Sequence, residues 1–217
     1  MVGASRTDAG VHALRQVASL STTSTIDARG LQRGLNALLP PTIRVLDARD
    51  APPSFDARRS ARGKRYAYVL DRGACADPFL RRYGWHVPWV LDPTAMGSAL
   101  HAVEGKHDFS AFCASAGRGR TPMCTVRTTR VVTRKHRLVV LISADSFLHH
   151  MVRNLIGTLV EIGRGAKPPE WMEELLDGRD RTRAGPTAPP QGLVLVRVMY
   201  PSSLETDDSP GSLGRVG

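Results

Sequence analysis

The run CTVRTTRVV (residues 124–132) is followed, after only the polar residues 133–136, by RLVVLIS (137–143). Two β-rich runs joined by so short a connector pair antiparallel, because a parallel crossover needs about a dozen residues or more. The second run is apolar at nearly every position, which places it inside a sheet. RYAYVL (65–70) puts Tyr66, Tyr68 and Leu70 on one face of another strand, LVLVRVMY (193–200) reads as the last, and IRVLDA (43–48) as one more.

Helices fall between these strands. Asp27 caps one that carries Leu31, Leu35, Leu38 and Leu39 on a single face until Pro40 and Pro41 stop it. DPTAMGSALHAVEG starts a second at Asp92, with Pro93 in the first turn, Met96, Leu100 and Val103 on one side and Gly105 at the end. FLHHMVRNLIGTLVEIG (147–163) keeps helical spacing from Leu148 onwards, weakened slightly by Gly157, and a short helix spans 168–176. Strands in adjacent pairs between helices indicate an α+β chain with antiparallel sheets, not a doubly wound parallel sheet. A boundary near 85–91 divides an N-terminal half (1–88) from a C-terminal half (89–201), and the Ser/Gly/Asp-rich residues 202–217 read as a disordered tail.

The formal net charge is +10, which calls for a polyanionic partner, nucleic acid first, with a solvated basic surface as the alternative. Its distribution supports the former. ARRSARGKR (57–65) sets Arg58, Arg59, Arg62, Lys64 and Arg65 directly before the Tyr66 strand, either as a solvated loop or as phosphate contacts beside a base-stacking ring. GRGR (117–120) is a second basic loop. Cys75, Cys113 and Cys124 are odd in number and lack a CxxC pair, so they read as reduced core thiols and not as a disulfide framework or zinc knuckle. No run approaches the ~20 apolar residues of a membrane span and no signal-peptide pattern opens the chain, so a cytoplasmic protein with no membrane partner is expected.

SRTDAGVH (5–12) carries the candidate chemistry. An aspartate two residues before a glycine is by itself a common turn. Arg6 beside it, and Arg153 far off on an otherwise apolar helix face, add a second reading, because a carboxylate held by a guanidinium stays ionised and oriented. No second carboxylate stands near Asp8, which disfavours a glycosidase, whereas one suffices for a nucleophile. His149 and His150, as neighbours on a helix, would point about 100° apart and not readily ligate one metal ion together, which favours polar packing or phosphate contact over a metal site. On position alone Tyr66 reads as a core residue.

Taken together, several stretches resemble one family, the TruA-type tRNA pseudouridine synthases: RTDAGVHA (6–13), LNALLP (35–40), FDAR (55–58), KRYAYVL (64–70), HDFSAFC (107–113), RT (120–121), FLHHMVRNLIGTLVEIG (147–163) and APPQGLVLVRV (188–198). They run in the family's order over nearly the whole chain. The resemblance implies two ferredoxin-like α/β halves whose antiparallel sheets meet at a central basic cleft. It implies isomerisation of uridine to pseudouridine at positions 38 to 40 of the tRNA anticodon stem-loop, by a homodimer that uses no cofactor and no metal. By the same resemblance Asp8 is the nucleophile, Tyr66 the active-site aromatic and Arg153 the arginine that pairs with the aspartate. Tyr66, Arg58, Arg6, His149 and His150 are then the substrate-binding residues, Arg58 first among the RNA contacts.

Two departures from the family pattern stand out. Asp56 occupies the place usually held by histidine in the FDAR stretch. Family members also carry a strand and a helix ahead of RTDAG, with a YDG…GWQ pattern, and here Met1 stands where the active-site loop begins. A start placed too late or a partial gene is one explanation, a protein that lacks the strand the other. Loss of that strand would expose backbone groups and core surface, so a chain of these residues alone is expected to be poorly stable or inactive, and a non-catalytic RNA-binding remnant is the alternative function.

Overall fold

The computed structural model describes residues 1–114 and 121–201. A two-residue strand β1 (Val2–Gly3) pairs antiparallel with β3 (Ala18–Ser19), and the loop between them carries β2 (His12–Ala13). There follow α1 (Ala28–Leu38), β4 (Gly63–Asp71), β5 (Trp85–His86), α2 (Pro93–His101), β6 (Gly105–Asp108), β7 (Met123–Arg134), β8 (Arg137–Ala144), α3 (Met151–Gly163), α4 (Trp171–Gly178) and β9 (Leu193–Met199). The chain is therefore α+β. One sheet of seven strands runs β2-β9-β4-β8-β7-β6, with β5 alongside β4. Its pairings are antiparallel except for the short contacts β2–β9 and β4–β5.

The β7–β8 hairpin forms as expected, and β8 lies between β4 and β7. Register sets Tyr66 opposite Ile142, Tyr68 opposite Val140 and Leu70 opposite Leu138. These six buried side chains share one core with Met96 and Leu100 of α2 and with Leu155, Ile156 and Leu159 of α3. The caps also hold. Asp27 accepts the Gly30 N–H at the start of α1, and Asp92 accepts those of Thr94 and Ala95 at the start of α2.

Four expectations are corrected. Residues 43–48 form no strand, because the side-chain amides of α1 take up their backbone groups: Asn36 bonds both the N–H and the carbonyl of Val45, and Gln32 donates to Val45 and Leu46. α3 starts at Met151, not at Leu148, because His150 adopts a left-handed conformation (φ 61°). Of the three cysteines only Cys124 is buried, and Cys75 is exposed in the loop after β4. Arg65 alternates with Tyr66 along β4, so it points to the other face of the sheet, beside Thr128, Arg130 and Ser143. The basic cluster is thus divided by the pleat. α1 keeps its amphipathic pattern, yet none of its residues is buried and Leu38 is 86% exposed. The GRGR stretch, with the Arg120 of the RT pair, and the tail 202–217 lie outside the described residues.

Candidate active site

The Asp8 loop is pinned at both ends. The Ala4 N–H donates to Val17 O at 2.8 Å, the Leu14 N–H donates to Leu195 O at 2.9 Å, and β2 adds itself to the edge of β9. At the tip, the Val11 N–H closes a turn onto Asp8 O with Gly10 at φ 83°, the third position of a type II turn, where glycine is the favoured residue. The expected turn therefore exists, but its carboxylate faces a different set of partners.

Asp8 Oδ2 accepts a hydrogen bond from Arg153 Nη1 at 2.8 Å and lies 3.1 Å from His150 Nε2, while Oδ1 lies 3.6 Å from His149 Nε2. The Asp8 side chain keeps 29% of its surface open, enough for an incoming group to touch it, whereas Arg153 keeps 13%. The two histidines reach one carboxylate because they precede α3 instead of lying on it. The left-handed turn at His150, costing about 1–2 kcal/mol, stacks the rings 3.9 Å apart. Among the described residues Asp8, His149 and His150 are the one trio able to offer ligand atoms to a metal, all within 4.8 Å. The Arg153 cation already bound to Oδ2 counters the attraction a divalent ion would feel there.

Burial first, and the neighbouring His149 imidazole second, push the His150 pKa below its ordinary 6.5, with Asp8 pulling the other way. Its folded value lies below the unfolded one, so the unfolded chain takes up this proton first. Stability from this group is intact above about pH 6.5 and is lost as pH falls from there towards the folded pKa. Imidazole NMR titration is expected to place His150 below 6.5, to move it up in His149→Ala and to move it further down in Asp8→Asn.

Arg153 is oriented by the strap that leads into β9. Its Nε donates to Ala188 O at 2.8 Å, and the Ala188 N–H donates back to Arg153 O at 3.1 Å. Next to it, fully buried Asn154 donates to Phe112 O and accepts from Arg181 and Thr187, which ties the same turn of α3 to the strap. Tyr66 stands on β4, only 6% exposed, with Phe147 edge-on at 4.9 Å and its hydroxyl 2.9 Å from Ser5 Oγ. Burial above all, and the Asp8 charge in addition, raise its pKa above 10, while Ser5 acts in the opposite direction. Asp8, Arg153 and the His149/His150 pair thus meet at one spot, and Tyr66 lies near enough for the Asp8 charge to act on its phenol, although Asp8 and Arg153 are 145 residues apart in sequence.

Comparison with known proteins bears on what this spot does. The family model described as tRNA pseudouridine synthase matches residues 99–201. A protein named tRNA pseudouridine synthase A from Myxococcus xanthus is 43% identical over 201 residues, 92% of this chain and 76% of that protein. Proteins of the same name from Ralstonia nicotianae and a Thermoanaerobacter species are 44% and 41% identical, covering 96% and 92% of this chain and 78% and 82% of their own lengths. The chain belongs to the tRNA pseudouridine synthase family. It is thereby an isomerase of this kind, and the TruA-type resemblance of the sequence is a family relation.

Seen within the tRNA pseudouridine synthase family, the remaining site candidates fall into place unevenly. Arg58 is exposed, and its Nε donates to Gly3 O at 3.3 Å, which brings it beside the Asp8 loop. Asp56 organises that approach: its Oδ1 accepts the N–H groups of Arg58 and Arg59, and these bonds, Arg59 first, lower its pKa. Arg6 is exposed on the Asp8 loop itself. Sequence reasoning passed over Ser5, Gln16, Phe147 and the carbonyl of Ala188. The one available signal was for Asn154, a polar residue within a run of apolar helix positions. Among the described residues no helix is long and apolar enough to cross a membrane.

Proposed function

We propose that this chain isomerises uridine to pseudouridine in the anticodon stem-loop of tRNA, at positions 38 to 40, with Asp8 as nucleophile. The observation that carries the reading is the 2.8 Å bond between Arg153 and a carboxylate still open on its other side. The ion pair holds the carboxylate as an anion and fixes its direction, while the open side leaves an oxygen for C1′ or C6 of a uridine. The C1′–N1 bond breaks, the uracil turns, a C1′–C5 bond forms, C5 loses its proton and N1 gains one. Atoms balance within the substrate, so no cofactor and no metal is consumed. Because Tyr66 stays a neutral phenol at pH 7, it offers its ring and hydroxyl, and the carboxylate of Asp8 is the group fit to take the C5 proton.

The target base has to leave its stack, at a cost of a few kcal/mol that phosphate contacts offset. Arg58, Arg6 and the half-exposed His149, with His150 beside it, serve that role at the rim. In this reading the chain is a cytoplasmic homodimer of two ferredoxin-like halves, 1–88 and 89–201, which meet at a basic cleft. Asp8 and Tyr66 come from the first half, and His149, His150 and Arg153 from the second. Tritium release from tRNA labelled at C5 of uridine tests it. One tritium is expected per pseudouridine formed, and a protein that retards tRNA in a gel but releases none would be a non-catalytic RNA binder.

A further inference from the structure

We propose that Ser5 is a positioning residue that locks Tyr66 to the loop carrying Asp8. The inference deepens the proposed isomerase reading and rests on it. A buried phenol needs a partner for its hydroxyl, and Ser5 Oγ supplies one at 2.9 Å. Serine itself is held in place by its backbone. The Gln16 side-chain amide accepts the Ser5 N–H at 3.2 Å and donates to Ser5 O at 2.9 Å, so that one side chain clamps both faces of the peptide. The neighbouring Ala4 is fully buried and bonded to Val17.

The hydroxyl has one more neighbour, Arg6 O at 3.4 Å, which is long for an O–H···O bond and leaves the Ser5 rotor free to serve Tyr66. Between two neutral hydroxyls either can be the donor. The link transfers no proton. Phe147, edge-on at 4.9 Å, limits the tilt of the ring, and Ser5 limits the motion of its hydroxyl end. Asp8 follows Ser5 by three residues on the same pinned loop, so ring and carboxylate keep a fixed separation while the extruded base turns between bonds.

The test compares wild type, Ser5→Ala, Ser5→Thr, Tyr66→Phe and the Ser5→Ala/Tyr66→Phe double variant in tritium release from tRNA. Ser5→Ala is expected to lower kcat about tenfold with KM within about twofold, and Ser5→Thr to restore most of the loss. In the Tyr66→Phe background, adding Ser5→Ala is expected to change kcat by less than about twofold. A Ser5→Ala loss of equal size in both backgrounds would show a loop defect and overturn the proposal, as would the absence of any loss. A second readout needs no turnover: in protein carrying 13Cζ-tyrosine, Ser5→Ala is expected to shift the resonance that Tyr66→Phe deletes. If that resonance is indifferent to Ser5, this inference fails alone, whereas a wild type that releases no tritium removes the isomerase reading on which it rests.

Discussion

Asp8→Asn is expected to abolish isomerisation, by about four orders of magnitude or more, while leaving the fold and the retention of tRNA in place. The substitution keeps shape and one oxygen, so Arg153 Nη1 retains an acceptor at the site of its 2.8 Å bond, and its Nε keeps Ala188 O. An amide nitrogen cannot attack carbon or accept the C5 proton, so the chemical step loses its reactive atom. The stability change is expected to stay within about 1–2 kcal/mol, because the aspartate is partly solvated and the guanidinium keeps both hydrogen-bond partners. Affinity for tRNA is expected to hold or rise, since a negative charge has been removed from a basic surface. Tritium release, gel retardation and urea unfolding of the same preparation check the three parts. Residual turnover within about tenfold of wild type would remove Asp8 from the chemistry.

Those parts of the fold that depend on local chemistry were legible in the sequence. The Asp92 cap, the β7–β8 connector and the apolar spacing of α3 each act over a few residues, and each element forms close to where the pattern puts it. Segment 43–48 has the composition of a strand but not the structure, because its hydrogen bonds go to Gln32 and Asn36 of a helix, and no count of β-branched residues contains that information. The directions of the histidine pair are hidden for a related reason. Helical spacing sets the two side chains about 100° apart, but both residues lie just outside the helix, and a single left-handed backbone turn at His150 converts divergent side chains into stacked ones aimed at Asp8. The alternation of β4 carried a consequence that adjacency in sequence concealed, namely that Arg65 and Tyr66 serve opposite faces. The candidate site is read from family motifs at Asp8, Tyr66 and Arg153, of which the fold brings Asp8 and Arg153 into contact. The groups that hold those three, Ser5, Phe147 and the carbonyl of Ala188, are non-local contacts of ordinary residues and leave no local pattern.

Gly157 shows how a residue that weakens a helix can be required by what lies against it. By helix propensity alone Gly157→Ala should add up to about 1 kcal/mol of stability. In the fold, a Cβ at 157 would stand 1.6 Å from Pro186 O and 2.8 Å from its carbonyl carbon, both backbone atoms of the strap. Gly185 makes the complementary approach, with a Cβ there 2.7 Å from the N and Cα of Thr158. Helix and strap touch backbone to backbone, so neither side has a flexible side chain to move. To accept the methyl, the strap has to retreat until the 1.6 Å contact exceeds 3.0 Å, which pulls the Gly185 N–H from Thr158 Oγ1 and strains the paired bonds between Ala188 and Arg153. The steric term wins: Gly157→Ala is expected to cost about 4 kcal/mol or more, read as a lower urea midpoint with an unchanged slope. Whatever fraction remains folded is expected to be slow as well, since Arg153 takes its direction from Ala188 and gives Asp8 its own. A variant as stable as wild type would mean that the strap does not pack against α3 at Gly157, and the account of how Arg153 is held would fall with it.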